Sequence, residues 1–192
     1  MNRFFILALC ASAFCLAACG YQMQGRRNPL HELGINRLYV EQFRNDTYRP
    51  GVEQLFSSAM IREIQKSRAF TLVNDKSKAD AVISGVISTA TSTISSPRQV
   101  DIKNSAGQSV RQTDIAAEYN AQVQCDVRLV DPDGRVIFAQ SASGNKIHPG
   151  STDVGPAGAT VSLVNESEQR LAIQFIASQM MASVYQRMID NF

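Results

Sequence analysis

From Ala117 to Leu129 the chain alternates without a break. Ala117, Tyr119, Ala121, Val123, Cys125, Val127 and Leu129 are apolar or small, and Glu118, Asn120, Gln122, Gln124, Asp126 and Arg128 between them are polar. Successive side chains of a strand leave opposite faces, so a period of two commits this segment to a sheet with one buried and one wet side. Antiparallel sheets tolerate that asymmetry, because their second face needs no cover. Asp131-Pro132-Asp133-Gly134 follows as a turn, in which Asp accepts from nearby backbone amides and Pro presets φ. Arg135 to Lys146 then returns as the hairpin partner.

The remaining elements arrange themselves around that hairpin. Ile35 to Phe43 alternates loosely through Leu38 and Val40 as a first strand, ended by Asn45-Asp46-Thr47-Tyr48-Arg49-Pro50-Gly51. Between residues 50 and 68, Val52, Leu55, Phe56, Ala59, Met60 and Ile64 recur at helical spacing. Pro50 suits a first turn, and Arg62, Lys66 and Arg68 suit the negative end of the helix dipole. Phe70 to Val73 is a short strand and Val82 to Ile94 a long one. From Ser88 to Ser96 that strand is nearly all Ser and Thr, so it outgrows its core. Residues 97–113 read as a polar excursion and 147–163 as a loop.

Asn165 and Glu168 have capping-box spacing, opening a helix over 166–190. Its stripe is Leu171, Phe175, Met180, Val184 and Met188, with Ile173, Ile176 and Ala177. The order strand, helix, strands, helix predicts an α+β fold: a single, mostly antiparallel four-stranded sheet with two helices packed on one face.

The N-terminus speaks to compartment. Met1-Asn2-Arg3 is a short positive start, and Phe4 to Leu16 carries no charge. That stretch is shorter than the roughly 20 residues a bilayer requires, and it fits the apolar core of a signal peptide. Leu16-Ala17-Ala18-Cys19-Gly20 resembles the lipobox of bacterial lipoproteins. The resemblance implies cleavage before Cys19 and a diacylglycerol on its thiol. Gly20 where other lipoproteins carry Asp implies onward transport to the outer membrane. The expected organisation is a signal peptide over 1–18, a lipidated tether over 19–34 and an α+β domain over 35–192. At about 0.8 kcal/mol per buried methylene, two or three acyl chains anchor stably. Cys10 and Cys15 leave with the signal and Cys19 carries lipid, so Cys125 is left without a disulfide partner. It reads as a small core residue or, more sharply, as a reactive thiol.

Chemistry is harder to find. Lys and Arg number 19 against 17 Asp and Glu, and Trp is absent. A nucleic-acid binder would show a clustered basic surplus or stacking aromatics. His31 and His148 are the only histidines, one of them in the tether, and no Cys or His pair has metal-ligand spacing. His148, Ser151 and Asp153 share one loop, whereas hydrolase triads converge from separate elements. Asp131 and Asp133 belong to a turn, and Met180-Met181 reads as core filler. No enzyme and no cofactor is expected. What remains is a set of separated cations, Arg98, Lys103 and Arg111 in the polar excursion and Lys146 across the later hairpin. They suit a phosphate-rich ligand if they gather at one end of the sheet, and plain solubility if they do not.

Cys19-Gly20-Tyr21-Gln22-Met23-Gln24-Gly25 resembles the start of mature LptE-family proteins. So do the strand Arg37-Leu38-Tyr39-Val40, the run Phe43-Arg44-Asn45-Asp46-Thr47, the helix from Pro50, the strand Phe70-Thr71-Leu72-Val73 and the run Ala79-Asp80-Ala81-Val82-Ile83-Ser84-Gly85. The resemblance implies a non-enzymatic outer-membrane lipoprotein that plugs the β-barrel LptD in a one-to-one complex. It further implies help in folding that barrel and in delivering lipopolysaccharide to the outer leaflet, with lipid A bound by basic residues of the sheet and loops. The same strand–helix–strand motif also resembles lipoproteins related to the pore CsgG and to LpoB-type activators of peptidoglycan synthases. Against these stand a tether shorter than LpoB-type linkers and a Ser/Thr face lacking the apolar side of a membrane hairpin.

Overall fold

The computed structural model describes residues 28–103, 108–150 and 158–190, with side chains except at 100–103, 110–115 and 158–164. Helix α1 (Pro29–Glu32) leads into β1 (Arg37–Val40), β2 (Arg44–Asn45), α2 (Val52–Ser67) and β3 (Thr71–Leu72). A 3-10 turn (Lys76–Lys78) precedes β4 (Ala81–Lys103), β5 (Ser109–Val130), β6 (Val136–Pro149) and α3 (Gly158–Asp190). The sheet runs β3-β1-β4-β5-β6, with β2 beside β4 at Val86 and Ile87.

The class is α+β, but the sheet is not the four-stranded, mostly antiparallel one expected. It has six strands of mixed direction: β1 is parallel to β3 and to β4, β2 is parallel to β4, and β4, β5 and β6 form an antiparallel meander. Parallel neighbours need a crossover, and α2 supplies it between β1 and β3. β2 and β3 have two residues each, too few to register as a period in the sequence.

The excursion expected over 97–113 is instead the end of a long hairpin. β4 spans 23 residues and β5 22, paired from Val82↔Val130 out to Lys103↔Ser109. Backbone pairing needs a partner strand, not an apolar face, so polar residues carried it beyond the reach of the helices. Register shifts at Ile87/Thr89 and between Ile94 and Pro97 bend β4 along the way.

Both long helices cover one face, as expected. In β5, Ala121, Val123, Cys125, Val127 and Leu129 are at most 1% exposed, and the residues between them are wet. Phe56, Met60 and Ile64 of α2 and Met181, Val184 and Met188 of α3 close the core over them. Each such side chain contributes about 1.5–3 kcal/mol on full burial. Two expected members of the α3 stripe fall outside it: Leu171 is 58% and Phe175 44% exposed. The buried line runs through Ala172, Ile173, Ile176, Ala177 and Met180, so these two sit on its flank. α3 also begins at Gly158 rather than at a cap on Asn165, placing Asn165 and Glu168 inside the helix.

The stretch expected as a lead-in of little regular structure contains α1, whose Leu30 is fully buried. Two motifs noticed separately in the sequence are one packing unit. The Phe43 ring lies so close to Gly85 that a Cβ there would meet ring carbons at 2.5, 2.6 and 2.9 Å. Asp80, from the same run as Gly85, accepts from the backbone N–H groups of Asn36 and Arg37 and from the Arg37 guanidinium, Nη2 to Oδ1 2.6 Å. Those contacts pull the Asp80 carboxyl down to about 2 and tie β1 to the start of β4.

Candidate functional site: a hydrogen-bonding sheet face

The face away from the helices is built row by row from the register of the meander. Its consecutive rows are Ser84↔Arg128↔Ala139, Val86↔Asp126↔Ser141, Thr89↔Gln124↔Ser143, Thr91↔Gln122↔Asn145 and Thr93↔Asn120↔Ile147. Alternation puts most of the polar residues between the core positions here, with Val86, Ala139 and Ile147 among them. The three outer rows carry no charge at all, only hydroxyls and amides around Ile147. Thr89 donates to Gln124 (3.4 Å) and Ser141 to Asp126, so neighbouring strands are already cross-linked by side chains. Most of the remaining donors and acceptors face outward, since Thr91, Gln122, Gln124, Ser143 and Asn145 are exposed. Asn and Gln both donate and accept, so such a surface matches another polar wall directly or through water.

At the base of this face, Val82, Ser84, Val130 and Pro132 floor a cleft of about 810 Å³ walled by the 3-10 turn. Its cation is spoken for: Lys76 Nζ lies 3.2 Å from Glu41. Across the adjacent turn, Arg135 binds Asp131 at 2.8 Å and helps hold that carboxyl below the usual range, after the Arg135 backbone N–H. The cleft therefore offers no free charge of its own to an anionic ligand.

The four expected ligand cations fall at different places. Lys103 and Arg111 come to neighbouring positions at the far end of the β4–β5 hairpin, where Lys103 pairs with Ser109 and Ile102 with Arg111. Their side chains lie outside the described ones. Arg98 pairs with Ile115 and is exposed, about 17 Å back along β4 from Lys103. Lys146 belongs to another strand and to the helix-covered side, opposite Ala121 and in turn Ser92. That is six residues, about 20 Å, from the level of Arg98. Lys146 Nζ instead sits 4.3 Å over the Phe175 ring. Cys19 lies outside the described residues.

The two histidines lie in separate elements. His148 is buried, its Nε2 3.2 Å from Ser92 Oγ and its ring stacked on Tyr119, while Ser151 and Asp153 lie outside the described residues. His31 Nδ1 is 2.7 Å from Asn36 Oδ1. Cys125 is buried in the helix-covered part of β5, and burial, helped by Asp126, pushes its thiol up to about 12. Among the described residues no group of three His, Cys, Asp or Glu could hold a metal, and no helix is long and apolar enough to cross a membrane.

A long polar sheet face backed by two helices defines a scaffold that presents a hydrogen-bonding surface. The chain belongs to the LptE family, whose model, described as lipopolysaccharide-assembly, matches residues 35–188. No curated protein matches it significantly. Among solved structures it is similar to a PelC dodecamer from Paraburkholderia phytofirmans, at 12% identity over 80% of this chain and 89% of that one, TM-score 0.48. It is similar to the hypothetical protein CT253 from Chlamydia trachomatis, at 12% identity over 82% and 99%, TM-score 0.48. A minor lipoprotein from Acinetobacter baumannii gives 12% identity over 80% and 92%, TM-score 0.42. Such distant likenesses say nothing about function.

Sequence reasoning marked the hydroxyl-rich strand but missed the amide and hydroxyl partners on β5 and β6 that complete the face. The signal was present as Gln122 and Gln124 facing Thr91 and Thr89, but it needed the register to be seen as one surface.

Proposed function

We propose that this protein is a non-enzymatic lipoprotein, acylated at Cys19 and held on the periplasmic side of the outer membrane. There it occupies the lumen of an LptD-type β-barrel in a one-to-one complex, assists its folding and helps pass lipopolysaccharide to the outer leaflet. Family membership supports the lipopolysaccharide-assembly role. The observation that carries the plug reading is the uncharged hydroxyl and amide face of β4, β5 and β6. A barrel lumen is polar and wet. Burying ionised groups against it would cost several kcal/mol per unpaired charge, whereas Thr, Asn and Gln exchange water for lumen partners at little net cost. The five rows run from Ser84 to Thr93, about 30 Å along β4, comparable to the roughly 25 Å apolar band of an outer-membrane barrel.

Arg98, Lys103, Arg111 and Lys146 are the proposed contacts to lipopolysaccharide phosphates. In this reading they act as separate contacts, Lys103 and Arg111 at the hairpin tip, Arg98 further back along β4, and Lys146 apart from them beside Phe175. The test is recovery of the acylated protein from native outer membranes, followed by mass spectrometry of what survives detergent. A large β-barrel in equal amount is expected. A peptidoglycan synthase, or a self-oligomer alone, overturns the plug reading. Charge reversal at the four cations is expected to weaken lipopolysaccharide binding at unchanged thermal stability, and unchanged binding removes the assignment.

A further inference from the structure

The outer edge of β6 is unpaired. β6 is the last strand of the sheet, and among the described residues no backbone group bonds to its outer side. Sheets usually blunt such an edge with charge, Pro or brevity. Here a strand of 14 residues carries Pro only at its last position and Lys only at 146, whose Nζ lies over the Phe175 ring. On the helix side, Gln140, Ala142 and Gly144 stay half-buried, although their β5 partners Val127, Cys125 and Val123 are at most 1% exposed. Gly144 lets α3 come down beside the edge, since a Cβ there would stand 2.8 Å from Ile176 Cγ2. The result is a groove of about 270 Å³ between β6 and α3, walled by Phe175, Ile176 and Met180. Phe175 and, one turn before it on the same flank, Leu171 are exposed. A strand edge beside an apolar helix flank is the geometry that accepts one more strand.

The edge is two-sided, and that selects its occupant. Toward α3 an added strand meets apolar surface. On the other side it meets Ser141, Ser143 and Asn145, exposed members of the uncharged face. A strand that suits both sides alternates, apolar toward α3 and uncharged polar toward the face. Strands of outer-membrane barrels alternate in this way, apolar to lipid and polar to lumen, and their span of about 9–11 residues fits within the 14 of β6. A second copy of β6 suits the groove less well. It would lay Gln140, Ala142, Gly144 and Lys146 along it, small or polar side chains that leave apolar surface uncovered. A closed barrel has no free edge, so a barrel strand can pair here only before closure.

We infer that β6 is the docking edge for an unpaired strand of the partner barrel before that barrel closes, with the strand's apolar side chains over Phe175 and Leu171. The inference rests on the proposed barrel partnership and assigns its folding role to one edge of the sheet. When the barrel's own terminal strand arrives it replaces β6, so backbone hydrogen bonds are exchanged rather than left unmade. The uncharged face then remains against the lumen.

Pulse-labelled hydrogen exchange tests it. The acylated full-length protein in detergent is mixed with the urea-unfolded barrel recovered with it from native outer membranes, and closure is followed by the faster gel migration of a folded barrel. Amides of β6 between Ala139 and Asn145 that point away from β5 are expected to exchange about tenfold slower while the barrel is open and to regain their rate on closure. Leu171→Glu/Phe175→Glu, at two exposed positions, is expected to lose that protection. Equal exchange with and without the barrel, in a sample that still yields the one-to-one complex, overturns the inference and leaves the plug reading standing. Protection already present in the free protein also overturns it, whether it rises with concentration, meaning a second copy on the edge, or does not, meaning an edge covered by its own chain. Absence of any complex overturns the plug reading, and the inference with it.

Discussion

Gly85→Ala is a one-carbon change with a cost that can be worked from the structure. The new Cβ would lie 2.5 Å from Phe43 Cε2, far inside van der Waals contact. The ring cannot swing clear, because Phe43 is 2% exposed and its centroid is 6.4 Å from that of Phe56, itself fully buried. Overpacking of this kind costs about 1–3 kcal/mol. Ala also stiffens the unfolded chain and returns about 0.4–1 kcal/mol. The net expectation is a loss of about 1–2 kcal/mol, or a fall of about 2–8 °C in Tm for a domain of this size.

A double-mutant cycle separates the clash from general damage to β4. Phe43→Leu alone should destabilise by opening a cavity. In the Gly85→Ala background it should cost at least about 1 kcal/mol less, because the Cβ then occupies vacated space. Urea denaturation of the four proteins supplies the numbers. A neutral Gly85→Ala, or costs that simply add, would refute the idea that the Phe43 ring is what keeps this position glycine.

Asp80→Asn should destabilise by about 1–2 kcal/mol, since the carboxylate serves two backbone amides and a guanidinium at a partly exposed site. The Asp80 carboxyl sits near 2 in the fold and near 4 when unfolded, so its contribution is present above about pH 4 and fades as pH falls toward 2. The wild-type advantage over Asp80→Asn should therefore shrink between urea midpoints at pH 7 and pH 2.5, and a constant gap contradicts this. Cys125, with its thiol raised to about 12, should resist a thiol-disulfide reagent at pH 8 in the folded protein and react fully in urea. Rapid labelling of native protein would return it to the reactive-thiol reading.

Some of this molecule was written in local patterns. The alternation of Ala117 to Leu129 predicts β5, its burial and its wet face because a strand's side-chain period is a property of the backbone alone. The 131–134 turn and α2 follow for similar reasons: their signals, Asp-Pro-Asp-Gly and an apolar stripe at helical spacing, lie within a few residues of each other. Local patterns misled where the partner was distant. A residue pair such as Ile102↔Arg111 is a strand only because another strand lies beside it, so the hairpin tip looked like an excursion.

What tertiary structure decided is the assembly of distant pieces. The Phe43 run and the Gly85 run are meaningless apart and become one contact when β2 lies against β4. Leu171 and Phe175 are as apolar as Ile173 and Ile176, and only their place on the flank of α3, away from the side packed on the sheet, leaves the first two wet. The uncharged rows exist because β4, β5 and β6 stop at one register out of several that alternation alone would allow. Sequence by itself determined which residues want burial and which want water. Which of them meet was set by long-range pairing, where the energy of each contact depends on residues far away along the chain.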